Sequence, residues 1–182
     1  MSKLQFKVEQ IAIAPPSSER AIALLEKLGL TEWYRDHVVA SGEVGGSPGN
    51  NEADLAFNYQ TDRNFIGGSP KNAGCTTPLE FEVLEYTNGD FWTVAFEPSV
   101  SHLGMHVTHE QLAEFRAFFE SEDIGVAQEV TTSSHTNPAI ADSRRYNYVI
   151  FATREILGVD LKFIVRLNVD GTPFDRINPS IA

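Results

Sequence analysis

One order of elements, met twice in succession, constrains this chain more than any other feature. Each half reads strand, helix, strand, strand, strand. A repeated order with weak residue identity is the mark of a duplicated module. In the first half, period-two alternation predicts strands over 6–14, 32–40, 54–59 and 79–86. In the second half it predicts strands over 102–107, 125–131, 146–152 and 159–167. A helix follows the opening strand of each half. Within 17–28, Ala21, Leu24, Leu25 and Leu28 fall at i, i+3, i+4 and i+7, with Ser17 or Ser18 as cap and Gly29 at the exit. Within 109–121, Leu112, Phe115 and Phe119 make the stripe, Thr108 and Gln111 have capping-box spacing, and Gly125 marks the exit. The halves divide as 1–97 and 98–168, followed by an irregular extension over 169–182.

Strand parity says what each sheet faces, because alternate side chains point to opposite sides. In the last strand Val159, Leu161, Phe163, Val165 and Leu167 share one face, and Asp160, Lys162, Ile164 and Arg166 the other. In the fourth strand Leu79, Phe81 and Val83 oppose Glu80, Glu82, Leu84 and Tyr86. In the fifth, Leu103, Met105 and Val107 oppose His102, Gly104 and His106. Helices are expected over the apolar faces, which leaves a second surface rich in polar groups. Segments 42–52, 66–77 and 132–142 are rich in Gly, Pro, Asn and Ser and are predicted loops, serving either as lids or as tolerated insertions.

With 182 residues, one compact domain buries roughly 70% of its unfolded surface without needing disulfides. Cys75 is the only cysteine, which excludes an intrachain disulfide and a thiolate metal cluster. The net charge of −11 argues against nucleic acid, and the nearest basic run, Arg144-Arg145, is short enough to be solvated or ion-paired. No apolar stretch approaches the roughly 18 residues of a membrane span, so no membrane partner is expected and the default compartment is the cytoplasm.

The segment from Val8 to Ala14 with its capped helix, the run Leu79-Glu80-Phe81-Glu82-Val83-Leu84-Glu85-Tyr86, and the opening Ser101-His102-Leu103-Gly104-Met105-His106-Val107 resemble the vicinal oxygen chelate superfamily. The ligand pattern is most similar to that of glyoxalase I-like proteins. The resemblance covers roughly 6–167. It implies an α+β fold of tandem β-α-β-β-β modules, whose curved mixed sheets pair into an open cup with helices outside. It also implies a homodimer, a small-molecule substrate or ligand, and a divalent ion held by two ligands from each module. Three ligand places are held by Gln10, Glu82 and His102. The fourth is Lys162, where a glyoxalase-like enzyme carries a carboxylate.

An ammonium cannot ligate a cation. About 5 Å from a divalent ion, at an effective dielectric near 20, it costs several kcal/mol. Asp160, one pleat away, could substitute through a register shift, or Lys162 could pair with Glu82 in place of the metal. If a metal binds, the imidazole, carboxylate and amide oxygen suit Zn, Ni, Mn or Fe. Glu80 is then the candidate base, Glu80 and Lys162 the candidate catalytic residues, and Arg144 and Tyr146 candidate substrate contacts. Trp33, Tyr34, Phe57, Tyr59, Tyr146 and Tyr148 either stack on a planar ligand or pack the core. Three functions follow: a metal-dependent lyase, isomerase or dioxygenase on a small oxygenated substrate; a metal-free ligand-binding or drug-sequestering protein; or a scaffold without a site.

Overall fold

The computed structural model describes residues 4–60, 79–89 and 100–174. The loop predicted at 66–77, and Cys75 within it, lie outside those residues. The strands are β1 Gln10–Ile13, β2 Tyr34–Val44, β3 Ser47–Gln60, β4 Leu79–Gly89, β5 Val100–His106, β6 Val126–Ser134, β7 Arg145–Phe151 and β8 Asp160–Leu167. Among the described residues two principal helices, α1 Ser18–Lys27 and α2 His109–Ser121, follow β1 and β5. Two single turns, α3 Pro138–Ala141 and α4 Arg154–Leu157, flank β7.

The sheet order is β1-β4-β3-β2-β6-β7-β8-β5, closing through β1 against β5. Within each half the outer pair is parallel, β1 with β4 and β5 with β8, and the remaining pairs are antiparallel. The two halves join along antiparallel seams, β1–β5 and β2–β6. Registers express the duplication directly. Gln10 lies opposite Glu80 and Ala12 opposite Glu82, just as His102 lies opposite Asp160 and Gly104 opposite Lys162. Gln10 and His102 therefore hold equivalent places, as do Glu82 and Lys162. This mixed α+β architecture has the element order and strand pairing expected of two β-α-β-β-β modules.

Parity places the core as the alternation predicts. Phe81 and Val83 of β4 pack with Ile22 of α1, while Met105, Leu161, Phe163 and Val165 pack with Phe115 and Phe119 of α2. Phe119 stacks on Phe151 at 4.2 Å, and Phe115 meets Phe163 at 4.6 Å. Each fully buried ring contributes about 1.5–3 kcal/mol relative to exposure. The Thr108–Gln111 capping box forms with both bonds present. Among the described residues, no helix is long and apolar enough to cross a membrane.

Four local expectations are corrected. The apolar stripe of α1 is rotated: Ile22 is buried with Ala21 and Leu25 beside it, while Leu24 and Leu28 are exposed. This face packs on Val83, Ala56 and Phe81, and Glu85 of β4 ties down the start of the helix, its carboxylate accepting from both the backbone N and the hydroxyl of Ser18 at 2.7 and 2.8 Å. The Gly-rich segment 42–52 is ladder rather than loop, with Val44 opposite Ser47 across a two-residue turn. Gly45 and Gly46 take φ of 57 and 78°, the left-handed pair that such a turn requires. Segment 132–142 continues β6 to Ser134 and then forms α3, capped by Asn137. The first strand is shorter than 6–14, although Glu9 extends its bonding by one residue on both sides, to Gly104 and Glu80.

Candidate functional site

β1, β4, β5 and β8 each turn one polar residue of their inner face toward a common point. Gln10 Oε1 lies 3.0 Å and Glu82 Oε2 3.1 Å from His102 Nε2. Lys162 Nζ lies 3.2 Å from the same nitrogen and 3.6 Å from Glu82 Oε2. Gln10, Glu82 and Lys162 thus all meet His102, and the four residues, gathered from the four equivalent places, are all but sealed from solvent. Behind them the Tyr148 ring presents its face to the ammonium, with its centroid 4.1 Å from Nζ.

Electrostatics assign the protons. Burial alone would raise the Glu82 carboxyl, but the Lys162 ammonium and the bond from His102 outweigh it and hold the group below the usual carboxylate range. Burial, reinforced by the same ammonium, depresses His102 to about 4, so the imidazole is neutral at pH 7. Two acceptors, Gln10 Oε1 and Glu82 Oε2, face Nε2, whereas Nδ1 meets the Ser101 hydroxyl at 3.2 Å. Nε2 also faces the Lys162 ammonium at 3.2 Å, which can only donate, so Nε2 bears a proton when it bonds Gln10 Oε1 or Glu82 Oε2 and accepts one when it bonds Lys162.

This donor set does not fit a divalent ion. Three would-be ligand atoms converge, but the fourth place is a cation 3.2 Å from the histidine nitrogen. Asp160 does not repair the deficit. Its carboxylate is engaged by the Arg154 backbone N at 3.1 Å and side-chain Nε at 3.0 Å, where it anchors α4. Among the described residues, no group of three or more His, Cys, Asp or Glu is arranged to hold a metal.

A second polar layer lies toward the mouth of the cup. Gln10 Nε2 donates to Glu80 Oε2 at 3.0 Å, so one amide links the two layers. His106 stands between two carboxylates. Its backbone N donates to Glu9 Oε2 at 2.8 Å, its Nδ1 lies 3.4 Å from that oxygen, and its Nε2 lies 3.8 Å from Glu80 Oε1. Burial raises the Glu80 carboxyl, with His106 opposing and Glu82 reinforcing the shift. Glu9 is held below its ordinary value: burial pushes it up, and the bonds and charge of His106 outweigh this.

This layer opens on a cavity of about 350 Å³, walled by Phe57 and Tyr59 of β3 and by Tyr146 and Tyr148 of β7. Arg144 precedes β7, and its guanidinium lies 5.9 Å from the Tyr146 ring centroid, so the two expected substrate contacts sit together. Tyr34 also reaches this cavity, whereas Trp33 turns to the other side of the sheet, against Phe81. A separate space of about 40 Å³ borders Glu82, His102 and Lys162 together with Asn51 and Gln128. Of the cluster's four residues, only Gln10 borders the large cavity. Sequence parity put His106 on the correct face without marking it as functional. The signal for it was its i+4 relation to His102 along one strand face.

No protein-family model and no curated protein matches the chain. A solved structure of selenomethionine methylmalonyl-CoA epimerase is similar over 90% of this chain and 97% of that one, at 14% identity and a TM-score of 0.42. A likeness this distant carries no argument about activity, which rests on the side chains themselves.

Proposed function

We propose that this chain is a metal-independent small-molecule-binding protein in which an internal ammonium takes the place of the divalent ion. The observation that carries this reading is Lys162 Nζ at 3.2 Å from His102 Nε2 and 3.6 Å from Glu82 Oε2. A carboxylate buried with an adjacent cation has its charge compensated, and a divalent ion entering here would have to expel that cation. The ligand occupies the aromatic cavity, where Arg144 meets an anionic group and Tyr146 supplies a flat face.

The convergence of Gln10 Oε1 and Glu82 Oε2 on His102 Nε2 favours a second reading, a glyoxalase-like enzyme that holds Zn, Ni, Mn or Fe once Lys162 has moved aside. In that reading Glu80, with its raised carboxyl beside His106, is the acid or base that meets substrate. Metal analysis separates the two. Protein purified without chelator and without a nickel affinity step is expected to carry well under one equivalent of any of these metals. Saturable binding of an aromatic anion such as 1-anilinonaphthalene-8-sulfonate is expected to survive treatment with EDTA. One equivalent of bound metal would establish the second reading instead.

A further inference from the structure

We propose that the large cavity takes an aromatic zwitterion, a ligand with a planar ring, an anionic group that meets Arg144 and an ammonium that meets Glu80. This rests on the reading of the cavity as a ligand site and narrows it to a chemical class.

The basic pole is an arginine with unused capacity. Among the described residues, Arg144 Nε is buried without a hydrogen-bond partner, no carboxylate lies within ion-pair distance of the guanidinium, and its side-chain bond to Tyr146 goes to a neutral group. A buried N–H left without an acceptor costs about 1–3 kcal/mol, which a ligand anion would recover. The other arginine on the cavity, Arg35, is already paired with Glu19. An anion entering the cavity therefore has Arg144 as its open partner.

The acidic pole has too few cations. Glu9 and Glu80 share one imidazole, and Glu9 holds the closer side of it at 3.4 Å, leaving Glu80 Oε1 at 3.8 Å from Nε2, beyond hydrogen-bond reach. The other oxygen of Glu80 is satisfied by the Gln10 amide, a neutral donor. No Lys or Arg among the described residues lies within ion-pair distance of either carboxylate, and the upward shift of Glu80 agrees with a buried acid short of a cation. A ligand ammonium would supply the missing charge and a donor to Oε1.

The two poles share the cavity without touching, since no ion pair joins Arg144 to Glu80. Around them the rings are flat and nearly parallel in pairs, Phe57 with Tyr59 at 10° and Tyr146 with Tyr148 at 20°. Such walls favour a ring over a flexible chain, because offset stacking adds to burial at little entropic cost. A purely anionic ligand would leave Glu80 without its cation, and a purely cationic one would leave Arg144 open.

Calorimetric titration of the purified chain with 4-(aminomethyl)benzoate, 4-methylbenzoate and benzylamine tests the pairing of charges on one ring. The zwitterion is expected to bind at least tenfold more tightly than either singly charged probe. Arg144→Gln should erase its advantage over benzylamine, and Glu80→Gln its advantage over 4-methylbenzoate. A singly charged probe that binds the unaltered protein as tightly as the zwitterion would overturn the inference without recourse to any variant. If none of the three binds while 1-anilinonaphthalene-8-sulfonate still saturates a single site, the zwitterion class is wrong and the binding reading stands. If the dye also fails to bind, both fall.

Discussion

At the scale of single residues, Lys162 decides what the buried cluster can do. Its charge compensates Glu82 and, together with burial, keeps His102 neutral. Lys162→Glu removes a repelling charge and adds a ligand, so zinc or nickel is expected to bind at least tenfold more tightly, about 1.4 kcal/mol, in calorimetric titration. Equal affinity in the two proteins would mean that position 162 does not govern metal entry. Lys162→Met should instead leave Glu82 buried and uncompensated, and lower stability by about 3–5 kcal/mol in urea unfolding. His102 adds a pH dependence of definite sign. Its folded pKa of about 4 lies below the ordinary 6.5, so in that window the unfolded chain takes up a proton that the folded chain refuses. The stability this provides is complete above pH 6.5 and is lost as pH falls through 4, on the order of 3 kcal/mol in all. Glu80, shifted upward, acts in the opposite direction, being most favourable to folding when protonated. The His102 contribution is therefore read as the difference in slope between the protein and its His102→Gln variant, and identical slopes would refute it.

At the scale of elements, the seams between halves are closer than the ladders alone require. A Cβ built on Gly42 would lie 2.1 Å from the Glu129 carbonyl oxygen and 2.8 Å from Val130 Cα, both backbone atoms of β6. Neither can turn aside, so Gly42→Ala has to part β2 from β6 and is expected to cost at least the 1–3 kcal/mol typical of overpacking, measured as a shift in urea midpoint. Gly104 on β5 is tight as well, because a Cβ there would lie 2.9 Å from both Gln10 Cβ, which is fixed to the β1 backbone, and Gln10 Oε1, which is held against His102. The strands and the second helix were legible in the sequence because alternation and a capping box are local signals. The hairpin at 42–52 and the roll of α1 were not. Glycines that read as a loop are held in register by β6, and the buried face of α1 meets partners distant in sequence, Val83 and Phe81 on β4 and Glu85, 67 residues from Ser18.

At the scale of the whole molecule, the ring closes only when both seams form, so neither half completes the sheet alone. The chain is accordingly expected to unfold in one transition, with calorimetric and van't Hoff enthalpies equal. Two resolved transitions would show that the halves are independent. What the sequence determined by itself was the duplication and the dry face of each strand, because both follow from periodicity and order along the chain; the four places that meet in one buried polar cluster were implied by the resemblance. Only the tertiary structure decided that Lys162 sits on His102 rather than beside it, that Asp160 is spent on Arg154, and that Glu9 rather than Glu80 holds His106 more closely. The physical reason is separation along the chain. The bonds between Lys162 and His102 and between His106 and Glu9 join residues 60 and 97 positions apart, and which partner wins depends on sub-ångström packing across the closed ring, about which local pattern is silent.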